Sequence, residues 1–354
     1  MGAGTAQGGA CLLISGKVRK NMEFVVFAGV LLLLFIFMIV QELIQTKNQE
    51  KLFKKYLREN YGKEPPKEYS LERFARLGSY LERHKEEKQL DDITWNDLGM
   101  DEVFRRIDRT YSAAGEEYLY YTLRNISCGR EALEHLEEVV NWLQEQENIK
   151  VRIQLLMKRL GHLGKYSLYD YLDNLDYLGE RSNRKIVLGN LLYLPFLLLL
   201  FVQPAMGTIG IVLCMLWHIM TYFREKKVIE PYIISFAYVL RLIDVCEELE
   251  KQKIPVYRRE LDELREALKS LRELRRGAYW VMAGNQGKIG GNPLDILADY
   301  LRMILHLDIF QFNRMLEKLR KKTGQVETML AITGYLDMAI SVGGFRKSLE
   351  GYCI

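Results

Sequence analysis

The sequence predicts an all-α protein: a discontinuous helical core, an N-terminal transmembrane helix, and a transmembrane helical hairpin inserted between the halves of the core. Three observations predict it. Two uncharged apolar runs, Phe24–Val40 and Ile186–Phe223, have bilayer-crossing lengths. The stretches around them carry apolar residues at helical spacing amid charge. No run of residues alternates as a half-buried strand does.

The chain has 354 residues, with 50 Lys and Arg against 46 Asp and Glu, a formal net charge of +4. That near balance argues against a broad nucleic-acid-binding surface and leaves room for a local basic face. Hydrophobic residues at 49% and charged residues at 27% exclude a mostly disordered chain. Seven prolines and 27 glycines exclude the collagen-like and Pro-rich classes.

Residues 1–21 are Gly-rich and form no convincing element. Met22 stands directly before the apolar run, so translation is expected to start there; a cleaved signal peptide is the alternative. Residues 22–44 make the first span, with 17 uncharged residues from Phe24 to Val40. Residues 45–185 are the first half of the core. Within it, Leu133, Leu136, Val140, Leu143, Ile153, Leu156 and Leu160 predict a helical stretch from Glu131 to Leu160, punctuated by Gly129 and Gly161. The 38 residues from 186 to 223 are too long for one crossing and suit two, 186–202 and 205–223, with the turn at Gln203-Pro204. Pro195 lies inside the first arm, where a kink is tolerated. A buried hairpin in a soluble core is the competing reading, but such helices usually carry charge on one side.

Residues 224–354 are the second half. Ile233, Phe236, Leu240, Ile243 and Cys246 form one stripe and Leu261, Leu264, Leu268, Leu271 and Leu274 another, divided at Ile254-Pro255. Asn292-Pro293 opens a helical stretch from Leu294 to Leu319, Leu330–Leu349 is the last helix, and Trp280–Met282 is at most a short extended piece. Arg181, Arg184 and Lys185 precede the hairpin and Arg224, Lys226 and Lys227 follow it, so both its ends are expected in the cytoplasm. The first span then runs from outside to inside.

Candidate chemistry is sparse. The five cysteines and five histidines are scattered, without the spacing of a zinc site or a disulfide framework. Gly161–Ser167 (GHLGKYS) and Gly284–Gly291 (GNQGKIGG) imitate a phosphate loop but miss its GxxxxGK[ST] spacing. Glu116 and Glu117 suggest paired acids, yet adjacent helical residues point about 100° apart, which favours structural roles. The basic run Leu271–Arg276 is read as a solvated helix face, and the Tyr-rich Gly115–Tyr121 as packing.

One set of words is distinctive. Thr94–Met100 reads TWNDLGM, followed by DEVFRRIDRTYSAAGEEYLYYTLRNI, and ITGYLDMAISVGG stands near the end. These words resemble the membrane-anchored bacterial branch of the MutS-related mismatch-repair family, over about residues 90–175 and 230–354. The positions that carry the resemblance are Thr94, Trp95, Asn96, Asp97 and Leu98, then Thr110, Gly115, Glu116, Leu119 and Leu123, and finally Leu336-Asp337. It implies a MutS-like core, or lever, domain whose two halves dock, located at a bacterial cell membrane with both halves cytoplasmic. In that family ATP and Mg belong to a following ATPase domain; the chain ends at Ile354, where such a domain would begin. The expectation is therefore no cofactor and no catalytic or metal-binding residue in this chain, which would be a truncated or split protein. The bilayer is the first expected partner, a second copy or a separate ATPase-bearing protein the next, and DNA follows only from the family. The alternative is a structural membrane scaffold that binds a protein through its helical halves. A small transporter is disfavoured, because the apolar runs Phe24–Val40 and Ile186–Phe223 hold no charged residue to line a substrate path.

Overall fold

The computed structural model describes residues 36–42, 44–63, 69, 71–85, 88–126, 129–164, 167–275, 300–349 and 351. It divides into two compact units, Met1–Tyr56 and Leu57–Ile354. Among the described residues it is all helix, apart from an isolated bridge between Gln89 and Asn125. The tail 1–21, most of the first span, the extended piece at Trp280–Met282, the start signal at Asn292-Pro293 and the GNQGKIGG stretch lie outside the described residues.

In the first unit, residues 36–42 and 44–56 are helical, and 44–56 is named α1. Ile36, Phe37, Met38 and Val40 are exposed. Lys54 pairs with Glu50 one turn earlier, at 2.6 Å.

The second unit is built around its last helix. In chain order it contains α2 (Leu71–Arg83), α3 (Asp92–Asp97), α4 (Met100–Ile107), α5 (Ala113–Arg124), α6 (Arg130–Glu145), α7 (Glu147–Leu160) and α8 (Leu168–Asp173). The hairpin helices α9 (Arg184–Leu191), α10 (Tyr193–Val202) and α11 (Pro204–Glu250) follow, then α12 (Arg258–Leu271), α13 (Leu307–Arg320) and α14 (Thr323–Ser348). Helix α14 packs against α4, α5, α6, α7, α11 and α12. One core gathers Val140, Leu143, Ile153, Met157, Leu336 and Ile340 with α11 and α12, so both sequence halves contribute to it. A smaller one joins Leu77, Trp95, Phe104 and Leu119 to Met338.

Several boundaries differ from expectation. The stretch Glu131–Leu160 is two helices, because Gln146 leaves the helical region (φ −94°, ψ 64°). Each helix thereby turns its own apolar stripe onto α14. The first hairpin arm is interrupted between Leu191 and Tyr193. The physical reason is Pro195: it has no N–H for the carbonyl four residues earlier, that of Leu191. Gln203 alone makes the hairpin turn and Pro204 occupies the first turn of α11, where a missing N–H costs nothing.

The second arm does not stop at Phe223. Helix α11 continues for 47 residues to Glu250, roughly 70 Å at 1.5 Å per residue. Arg224–Glu230 contains strong helix formers, and the helix runs on through Pro231, which has no N–H for the Lys227 carbonyl. The expected boundary at 223/224 thus falls inside one continuous helix. The second-half stripes do pack as expected: Leu261, Leu264, Leu268 and Leu271 of α12 are buried, after the 3-10 turn Pro255–Tyr257. The stretch ending at Leu319 is broken at His306, whose φ of 53° separates helical residues 300–305 from α13.

Among the described residues, three helical segments are long and apolar enough to cross a membrane: Arg184–Val202, Pro204–Glu230 and Thr323–Ser348. They differ in surroundings. The apolar window of the first is 6% buried, that of the second 28% and that of the third 72%. The first two leave Leu198, Phe201, Leu213 and Leu216 exposed, whereas α14 is sheathed in protein. The arms of the hairpin touch closely: a Cβ on Gly207 would lie 2.7 Å from the backbone nitrogen of Leu200.

Candidate functional site

The two words that carried the family resemblance, about 220 residues apart in sequence, meet at the start of α5. Thr110 and Ser112 lead into the helix; Ser112 is its N-cap, with extended backbone, and its Oγ accepts from the Gly115 amide at 3.1 Å. From α14, the Asp337 Oδ2 accepts from the Tyr111 amide at 3.0 Å, the Ser112 amide at 2.8 Å and the Ser112 hydroxyl at 2.6 Å. A carboxylate here satisfies amides that a helix start leaves open and sits at the positive end of the helix dipole. Gly115 is required by the approach: a Cβ there would fall 2.4 Å from Asp337 Oδ2. One turn further along α14, Ser341 Oγ donates to the Ile107 carbonyl and accepts from the Arg109 amide, both at 2.7 Å.

Beside this junction lies a buried acid cluster. Glu116 is fully buried and held by Arg73, by Arg76 at 3.0 Å and by His162 at 3.0 Å. Asp108 is also fully buried; it accepts from the Thr110 hydroxyl at 2.6 Å and the Tyr69 hydroxyl at 2.5 Å. Glu117 faces elsewhere, with Ser167 Oγ 2.9 Å from both its carboxylate oxygens. Burial pushes the Glu117 carboxyl up to about 8, opposed by the Ser167 hydrogen bond and the Arg76 charge. Neighbouring glutamates thus have opposite surroundings: Glu116 has two guanidinium groups beside it, and Glu117 is held largely as the neutral acid at pH 7. Their divergence is the one expected from helical geometry, and both carboxyls are taken up by protein groups. The phosphate-loop imitation Gly161–Ser167 serves this cluster: Gly164 O accepts from Arg76 at 2.6 Å, and Ser167 caps α8 in a capping box with Asp170.

The other marked positions divide. Trp95 is buried, donates to Asp101 at 2.7 Å, and lies under the Arg124 guanidinium, 4.5 Å from ring centroid to carbon. Leu119 and Leu336 are buried and Leu123 is half-buried. Thr94, Asn96, Asp97 and Leu98 are exposed on α3 and its end, away from the junction. Of TWNDL, then, only the indole reaches a core.

A second place went unnoticed in the sequence. At the base of the hairpin, between α9, α11 and α13, a cavity of about 660 Å³ is bordered by Arg181, Lys185, Arg224 and Glu225. His218, 2% exposed, lines it; its Nδ1 lies 2.9 Å from the Ile304 carbonyl, and its Nε2 has no hydrogen-bond partner. The only sequence signal was a histidine inside an otherwise uncharged run. Comparison of the chain with protein-family models, with curated proteins and with solved structures finds no match in any of the three.

Proposed function

We propose that the chain is a membrane-anchored, MutS-like helical lever at a bacterial cell membrane. The hairpin holds it in the bilayer, the bundle lies in the cytoplasm, and its output goes to a partner that carries the ATPase. The observation that supports this reading best is the Asp337–Ser112 junction. It joins the positions by which the sequence resembled the two docking halves of the family's core. The continuous α11 fits the same reading, since it leads as one helix, through Pro231, from the exposed hairpin into the buried face at Phe236, Ile243 and Cys246.

The test is rigidity. Spin labels on one exposed hairpin-end residue, Lys227, and one exposed bundle residue, Glu131, are placed in the full chain in lipid nanodiscs. A lever gives a single narrow distance distribution, which broadens when Gly-Gly-Ser is inserted after Val228. A broad distribution in the uninterrupted chain would remove the lever reading. Fluorescence anisotropy with labelled duplex DNA separates the family reading from the scaffold alternative: a MutS-like core binds with a steep salt dependence, and a scaffold does not bind.

A further inference from the structure

The cavity at the hairpin base combines three features that fit one class of molecule. Its mouth is cationic, with Arg181, Lys185 and Arg224 outnumbering Glu180 and Glu225. Arg181 is engaged by Glu225 at 3.3 Å, while Lys185 and Arg224 are exposed. Behind the mouth lie two acceptors that are without partners and closed off from solvent. His218 Nδ1 faces a carbonyl and so carries the proton, which leaves a lone pair on Nε2. Asn313, 7% exposed, donates through Nδ2 to Asn183 at 2.9 Å and leaves its Oδ1 without a hydrogen-bond partner. Buried acceptors left open are costly, and a donor from a ligand would relieve them.

The third feature is apolar. A groove of about 420 Å³ runs between α10 and α11, lined by Phe196, Leu199, Ile209 and Leu213 among others. It shares Leu192 and Trp217 with the polar cavity. Anion-binding mouth, hydroxyl-accepting interior and apolar trough therefore follow one another along the hairpin. Trp217 stands at the seam, half exposed, as aromatic residues do at the membrane–water interface.

The geometry points to a binding site for one anionic phospholipid with a hydroxyl-bearing head group, such as a phosphatidylglycerol. Its phosphate sits among Lys185, Arg224 and Arg181. Its head-group hydroxyls donate to His218 Nε2 and Asn313 Oδ1 once the groups that cover these atoms shift aside, and an acyl chain lies in the α10–α11 groove. This inference rests on the membrane reading of the hairpin. A neutral choline head group has neither the net charge nor the donors to fill the same place.

The experiment uses the full chain in neutral detergent at 0.15 M salt, titrated with phospholipids brominated on an acyl chain. Trp217 is the reporter, and its signal is the quenching lost in Trp217→Phe. Phosphatidylglycerol is expected to quench at a several-fold lower mole fraction than phosphatidylcholine. Lys185→Ser and Arg224→Ser should each weaken that preference about fivefold, the equivalent of ~1 kcal/mol per cation near an anionic surface. Asn313→Leu, which leaves every charge in place, should erase the preference for phosphatidylglycerol over phosphatidic acid. Equal quenching by phosphatidylglycerol and phosphatidylcholine overturns the site while leaving the membrane reading intact. No quenching by any lipid removes both. Displacement by soluble glycerol phosphate at equal concentration overturns the lipid as occupant, and tighter binding of phosphatidylethanolamine overturns the anionic assignment.

Discussion

The hairpin α9–α11 and the last helix α14 are made of similar material and are used in opposite ways. The hairpin arms Arg184–Val202 and Pro204–Glu230 and the helix α14 each hold an apolar window poor in acidic and basic residues, and each meets the length and hydropathy of a membrane span. The hairpin turns its large side chains outward: Leu198 is 69% and Phe201 89% exposed. Helix α14 buries Met329, Leu330, Leu336 and Ile340 in protein, and with them the polar Thr333, Asp337 and Ser341. Those three polar side chains all have hydrogen-bond partners. A helix in lipid satisfies only its own backbone. A helix in a protein core can also carry a carboxylate, provided amides from another helix receive it.

Breaking the junction should produce the largest effect. Asp337→Leu leaves the Tyr111 and Ser112 amides and the Ser112 hydroxyl buried without their acceptor, and should cost ~3–5 kcal/mol, as loss of a buried charged partner does. Urea unfolding followed by near-ultraviolet circular dichroism measures it. Membrane insertion of the hairpin should be unchanged, and a loss of both would show that the two regions are not separable. The same comparison predicts that residues 224–354 alone do not fold, because α14 would lack α5 and α6. A protease-resistant fragment would contradict that.

The converse change is Leu198→Arg. A charge at mid-span costs ~2.5–3.5 kcal/mol on insertion scales. Insertion, read by labelling a cysteine at the hairpin tip, Gln203, from outside intact cells, should fail while the bundle keeps its stability and cysteines at Ser79 and Ser270 stay labelled only after permeabilisation. A smaller effect is expected where the arms meet. Gly207→Ala forces a methyl against the Leu200 backbone and should destabilise the hairpin by ~1–3 kcal/mol. Its readout is loss of a disulfide engineered between the two arms.

The last test is of the buried acid. Because the Glu117 carboxyl in the fold is raised from its ordinary 4.5 to about 8, the folded chain holds a proton in that window that the unfolded chain has released. Stability should therefore fall as pH rises between these values, by up to ~1.4 kcal/mol per unit, and level off above them. Glu117→Gln keeps an acceptor for Ser167 and should flatten this slope. Melting curves at pH 6 and pH 9 decide it; an unchanged slope would mean that Glu117 is already ionised in the fold.

Much of the secondary structure was legible because its signals are local. Leu261, Leu264, Leu268 and Leu271 announced the buried face of α12 by spacing alone, and Gln203-Pro204 announced the turn. The junction was half legible. The positions Thr110, Gly115, Leu336 and Asp337 stood out as words, but no periodicity indicates that a carboxylate on α14 will cap a helix more than 200 residues earlier. Thr94, Asn96, Asp97 and Leu98 stood out equally and reach no core, since distinctiveness in sequence carries no information about direction. The hairpin-base cavity was not legible. Its acceptors, His218 and Asn313, lie 95 positions apart, and each alone is an ordinary residue.

By itself the sequence determined which segments are apolar and where Pro195 and Pro204 punctuate the hairpin, because hydropathy, helical period and the missing proline N–H act within a turn or two. Where those segments go was decided by the tertiary structure. Hydropathy measures the cost of staying in water and is the same whether the refuge is lipid or protein. Only the presence of α5, α6, α7 and α12 around α14, and the open flank of the hairpin, separates a core helix from two candidate spans. The fate of residues 224–250 was decided in the same way. Their charges signalled an exit from the membrane and Pro231 a break, yet the helix that carries them continues through both into the core.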